Sequence, residues 1–191
     1  MDLETIQKKL EKKLKKSRYQ HTLGVMYTAA SLAMRHDTDI HKAMLAGLLH
    51  DCGKFCSPKE QVKLCGKLGL ELTDIEKEIP PMVHAKLGAC LAEKEYGVDD
   101  GDVLNAILHH TTGRPQMSML EKIIFLADYI EPGRKMIPGL DEVRLLAFTN
   151  IDAAVSVCAK NTLDYLKNTE KNINPLTEQT YLFYQKEEDG R

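Results

Sequence analysis

The pair His50-Asp51 stands at the end of the most apolar stretch of the chain, Ala43–Leu49. A carboxylate in such a place is costly to bury unless it is paired or coordinated. Consecutive side chains leave a helix about 100° apart, so one cation fits in the wedge between this imidazole and this carboxylate. Further donors recur along the sequence. His21, His50-Asp51, His84, His110 and Asp128 are separated by 29, 33, 26 and 18 residues. Such gaps deliver about one polar group per helix or helix pair, and bundles build metal sites from inward side chains on different helices. Each member alone has a plainer reading. A lone His on an apolar face is more often a satisfied core or surface residue. Asp128, flanked by Ile123–Ala127, could be a hydrogen-bonded buried Asp. The set as a whole points to a metal site. His36 and His41, in the polar turn RHDTDIHK, are expected at the surface.

The elements that must position these groups read as helices with short breaks. Leu3, Ile6, Leu10 and Leu14 mark an amphipathic helix over residues 3–16. Its lysines could form a phosphate-binding arm, but the apolar stripe and the interrupting Glu4 and Glu11 fit a solvated face better. Helices are expected at about Gln20–Met34 and Asp39–Asp51, the latter ended by Gly53. Ser57-Pro58 opens another that runs to about Leu68. Thr73-x-x-Glu76 and Ser118-x-x-Glu121 are capping boxes. Pro80-Pro81 precedes a helix closed by Gly97, and Asp99 or Asp100 caps the next, which reaches His110. Pro132-Gly133 ends the Ser118 helix near Ile130, and Glu142–Phe148 and Asp152–Asn168 follow. The tail, 172–191, is polar and is expected to be irregular until Thr177–Tyr184. The expected fold is all-α, a single compact helical bundle over residues 1–191.

Composition agrees. The chain has 191 residues, no Trp, and 26 basic against 28 acidic side chains, a net charge of −2. That balance argues against a basic nucleic-acid binder. The longest apolar run is far short of the roughly 18 residues that span a membrane, so no membrane partner is expected. The N-terminus has no apolar signal region. Five cysteines without a CxxC pair suggest free thiols in a reducing cytoplasm.

The order H…HD…D with helical flanks resembles the HD-domain metal-dependent phosphohydrolases. The longer segments RYQHTLGV (18–25), AGLLHDCGK (46–54), HAKLGA (84–89), ILHHTTGRP (107–115) and LEKIIFLADYIEPGR (120–134) resemble the bacterial HD-domain symmetrical bis(5′-nucleosyl)-tetraphosphatases. The similarity runs from about Arg18 to near Thr177, and the tail beyond matches only loosely. The resemblance implies an enzyme that cleaves diadenosine tetraphosphate to two ADP, uses iron and forms a homodimer. It matches His21, His50, Asp51 and Asp128 to four metal ligands. Asp51 is the natural bridge if there are two ions, and His84 and His110 then bind the second ion or hold phosphate. Where the family has one histidine before TTGR, this chain has His109-His110, and register next to Thr111 selects His110.

Hydrolysis of a polyphosphate needs a nucleophile at neutral pH and a sink for negative charge, and a transition metal supplies both. Imidazole with carboxylate suits Fe, Mn, Co, Ni or Zn and does not choose among them. Attack by metal-bound water on an inner phosphate, with Asp51 and Lys54 as the catalytic pair, is the expected chemistry. Arg18, Lys54, Arg114 and Arg134 stand near the matched ligands and suit phosphate oxygens, although any one could be a surface charge. Thr111 offers a hydroxyl, and Tyr129 adjoins Asp128. Two other readings stay open. One is an HD phosphohydrolase acting on nucleoside mono- or triphosphates, separable by a substrate panel. The other is a nucleotide- or metal-binding helical module without turnover, which the retained ligand positions argue against.

Overall fold

A computed structural model describes residues 1–189. Three opening helices carry the first half of the motif. They are α1 (Leu3–Lys13), α2 (Lys16–Arg35) and α3 (Ile40–Leu49). Then come α4 (Pro58–Lys67), α5 (Asp74–Glu78), a 3₁₀ turn at Pro80–Met82, α6 (Val83–Tyr96) and α7 (Gly101–His109). The chain continues through α8 (Met119–Ile130), α9 (Leu140–Thr149), α10 (Ile151–Asn168) and α11 (Pro175–Asp189). Among the described residues there is no strand, so the fold is all-α as expected. No helix among them is long and apolar enough to cross a membrane.

The local signals act as the sequence suggests. Ser57, Thr73 and Ser118 each close a full capping box, with Glu60, Glu76 and Glu121 returning to the cap backbone. Asp100 is the one of the two aspartates that caps α7, accepting from the N–H groups of Asp102 and Val103. Gly97 ends α6 in the left-handed region at φ 71°.

Three boundaries differ from expectation. The first helix stops at Lys13 because Leu14 and Lys15 are extended, and α2 begins at once with Lys16. Arg18 therefore lies in the first turn of α2 rather than in a linker. The polar tail is mostly helical. Asn174 accepts from Leu176 N–H at 2.9 Å to start α11, and Thr177, Thr180 and Tyr184 are buried. Gly53 is not a left-handed cap. It is small because a Cβ there would lie 2.5 Å from the carbonyl oxygen of His84.

One apolar core draws on helices from α1 (Ile6, Leu10) to α11 (Tyr184). Its centre is α3, where Ala43, Ala46, Gly47, Leu48 and Leu49 are buried. Gly47 lets α3 cross α2 closely, since a Cβ would sit 3.0 Å from Met26 Cα. The close approaches at Gly47 and Gly53 bring the turn after α3 against both α2 and the start of α6. The ends of α2, α3, α6, α7 and α8 thus meet around residues 50–51.

Candidate metal centre

Four imidazoles converge there, and each is anchored by its outer nitrogen. His50 donates from Nδ1 to the Gly47 carbonyl at 2.7 Å. His84 does the same to Pro81 at 2.6 Å, and His110 to Ile107 at 2.7 Å. A carbonyl only accepts, so these bonds put the proton on Nδ1 and leave Nε2 a lone pair in the neutral ring. His21 comes from α2 and meets the carboxylate of Glu131 through Nδ1 at 3.0 Å.

The Nε2 atoms face Asp51 and Asp128. Asp128 lies 2.9 Å from His21 and 3.8 Å from His50. One oxygen of Asp51 is 3.3 Å from His50 and 3.9 Å from His21. The other is 3.5 Å from both His84 and His110. His84 and His110 approach each other Nε2 to Nε2 at 3.2 Å. Thr111 Oγ1 lies 3.2 and 3.1 Å from these two nitrogens, and its single proton serves one of them at a time.

This donor set fits a cation. Nε2 of His50 is buried without a hydrogen-bond partner, while Nε2 of His21 and Oδ1 of Asp51 are buried against Asp128 and Lys54 alone. Each such atom costs about 1–3 kcal/mol if nothing meets it. Three overlapping groups of side chains can hold an ion: His21, His50 and Asp51; His50, His110 and Asp128; and Asp51, His84 and His110. Asp51 is common to the first and last, so a carboxylate stands where two neighbouring positions would share a ligand.

Protonation favours the same use. Burial resists the ionisation of Asp51, but His50, His110 and Lys54 outweigh it and hold the carboxyl well below its usual range. Asp128 is likewise lowered, with burial overcome by His21, His50 and Arg134. Burial, Lys54 and His110 push His84 well below the ordinary imidazole value, so it stays neutral.

Cations frame the centre. Arg18 Nη1 lies 2.7 Å from one oxygen of Asp51, and Lys54 Nζ 2.9 Å from the other. Arg134 donates from Nε to the Asp128 carbonyl at 2.7 Å and from Nη2 to its carboxylate. A cleft of about 600 Å³ opens beside them, lined by Ser17, Arg18, His21, Tyr129, Arg134 and Lys135. The expected substrate-side residues Arg18, Lys54, Thr111, Tyr129 and Arg134 are therefore brought together around the ligand set.

Arg114 is not among them. Its guanidinium forms a fork with Glu121, at 2.6 and 2.8 Å. His109 joins that pair at 3.1 Å from Glu121, so the tandem histidines face different partners. His36, expected at the surface, is half-buried and meets the Ala147 carbonyl at 2.7 Å. His41 is exposed.

Glu131 is the residue that sequence reasoning missed. It is 4% exposed, joins His21 Nδ1, and accepts from Gly133 N–H. A Cβ on Gly24 would fall 2.5 Å from its Oε2. The signal was present: a glutamate one turn past Asp128, next to an apolar helix, needs a partner. Carboxylates that orient a ligating His are worth about 10–100-fold in metal affinity. Glu131→Ala is accordingly expected to weaken metal binding by about that factor with the helical content unchanged. Metal titration followed by circular dichroism checks this, and wild-type affinity in the variant would remove the orienting role.

The comparisons place this geometry in a family. The HD domain model matches residues 18–133, a span that contains every donor named above. The chain belongs to the HD-domain family. Within it, the chain belongs with the symmetrical bis(5′-nucleosyl)-tetraphosphatases. The protein of that name from Bacillus subtilis is 44% identical over 175 residues, covering 90% of this chain and 91% of the relative. That from Halalkalibacterium halodurans is 45% identical over 168 residues, covering 88% and 89%. A crystal structure of a predicted HD superfamily hydrolase involved in NAD metabolism, from Clostridium acetobutylicum, superposes with a TM-score of 0.93. It is 39% identical and covers 98% of both chains.

Proposed function

We propose that this chain hydrolyses diadenosine tetraphosphate symmetrically, giving two ADP. The observation that carries the reading is the convergence of four Nδ1-anchored imidazoles on Asp51, with Arg18 and Lys54 on its two oxygens. The names of the relatives support the substrate class. A divalent transition metal held by His21, His50, Asp51 and Asp128, with His84 and His110 able to serve a second position, would lower the pKa of water and polarise a phosphoryl oxygen. Iron is the ion that the resemblance implies, and one metal per chain in the active form would remove the second position.

The chain's own residues supply the rest. Glu131 and the three carbonyl anchors keep the imidazoles in one orientation, so no reorganisation is needed as charge develops. Arg18, Lys54 and Arg134 offset the charge of a tetraphosphate. A water oxygen joins one inner phosphorus, the bridging bond breaks, and ADP leaves with the bridging oxygen. In oxygen-18 water the label is then expected on an inner phosphorus, and label on an outer one would refute this pose.

Lys54→Ala and Arg134→Ala are each expected to raise KM or lower kcat by roughly tenfold or more, as lost charge-assisted contacts do. Metal content should stay unchanged, and loss of metal would make these groups structural. The deciding experiment is product analysis after anaerobic loading with Fe(II) or Mn(II). ADP alone supports the reading. ATP plus AMP, or turnover only of nucleoside mono- or triphosphates, overturns it. The five free thiols support a cytoplasmic location. The resemblance implies a homodimer.

A further inference from the structure

Arg18 lines two clefts. The first, of about 600 Å³, is the one that contains Tyr129, Arg134 and Lys135. The second, of about 550 Å³, is lined by Lys15, Lys54, Phe55, Ser57, Gln61 and Pro81. Both fall in the size range of small-molecule sites. They also match in kind. Each offers an aromatic ring, two further cations, and the shared guanidinium of Arg18 at its inner end. Phe55 follows Lys54 directly and is half-buried, with Lys13 Nζ 4.2 Å from its ring centroid. Gln61 is 3% exposed, its Nε2 bonded to the Cys56 carbonyl at 3.0 Å and its Oε1 without a partner.

We infer that the second cleft holds the second nucleoside of a dinucleoside polyphosphate, with Phe55 as the ring on which its base stacks and Lys54 and Lys15 along its phosphates. This rests on the proposed reaction. A substrate with two equal halves needs two holders, and the scissile bond then lies over Arg18 and Asp51, between them. Neither Phe55 nor Gln61 belongs to the groups able to hold an ion, so the cleft can be altered without removing a metal donor.

The test uses the metal-loaded full chain and two substrates, diadenosine tetraphosphate and adenosine 5′-tetraphosphate, which has one nucleoside only. Phe55→Leu keeps the apolar volume and removes the stacking face. It is expected to lower kcat/KM for the dinucleotide by about tenfold, through KM, in line with the usual worth of base stacking. The one-nucleoside substrate uses the first cleft and should lose no more than about twofold, and Phe55→Trp should restore the dinucleotide value. A dinucleotide KM unchanged in Phe55→Leu, or equal losses on both substrates, would overturn the inference. If the wild-type chain gives no ADP from the dinucleotide at all, the proposed reaction itself has failed. In that case Phe55→Leu leaving the affinity for the intact dinucleotide unchanged in calorimetry removes the cleft as well.

Discussion

His50→Ala will abolish hydrolysis of diadenosine tetraphosphate, lowering kcat/KM by at least about 10³-fold. His50 is fully buried, its Nδ1 is committed to Gly47, and its Nε2 has no partner of its own. It belongs to two of the three groups of side chains able to hold an ion, those with His21 and Asp51 and with His110 and Asp128. Removing it therefore thins both. A metal contributes several kcal/mol of transition-state stabilisation, and each 1.36 kcal/mol is about tenfold in rate. Metal bound per chain should fall together with activity. Elemental analysis and turnover on the same purified sample check this. A variant that keeps its metal and its rate would mean that the cluster is an ordinary buried polar network. His41→Ala, in an exposed position on α3, serves as the control and should change neither.

The reach of the sequence follows from the range of each interaction. Capping boxes at Ser57, Thr73 and Ser118 involve residues three apart, and all three form. The polar cluster was visible because a carboxylate such as Asp51 beside a run of Leu and Ala has few inexpensive explanations. What escaped depends on how helices pack. Glu131 meets His21 across 110 positions, and nothing near either residue announces the other. Arg114 looked like a phosphate group because it follows the TTG turn, yet the capping glutamate of α8 claims it. Phe55 carries no polar group to set it apart in the sequence, and only the folded cleft places it with Lys54 and Gln61. The tail is expected to be irregular until Thr177–Tyr184, but Asn174-Pro175 already starts a helix, and its Tyr184 hydroxyl accepts from Met117 N–H at 2.9 Å. That bond ties the last helix to the loop that follows His110 and Thr111.

Glu121→Gln will cost stability, and the loss will depend on pH. The Glu121 side chain is 1% exposed and accepts both guanidinium nitrogens of Arg114, with His109 close by and the backbone of Ser118 as a further donor. Burial alone would raise its pKa, but His109, Arg114 and the Ser118 N–H together lower it from 4.5 to about 2. A carboxyl with a depressed folded pKa stabilises the fold above its unfolded value and loses that contribution as pH falls through the folded one. The contribution is on the order of 3 kcal/mol at pH 7 and disappears between about pH 4.5 and pH 2. The amide keeps the shape but gives up the charge that Arg114 pairs with, and because that guanidinium is partly exposed the cost is no more than about the same 3 kcal/mol. For a chain of this size that is roughly a 6–12 °C fall in Tm at pH 7. The gap between wild type and variant should narrow steadily as pH is lowered from about 5 toward 3. Thermal melts of both proteins over that range decide it, because a gap that stays constant with pH would show that Glu121 acts through shape and packing, with its charge contributing nothing. The same pair fixes the turn between His110 and α8, so turnover at neutral pH should fall severalfold in the variant while the ion stays bound.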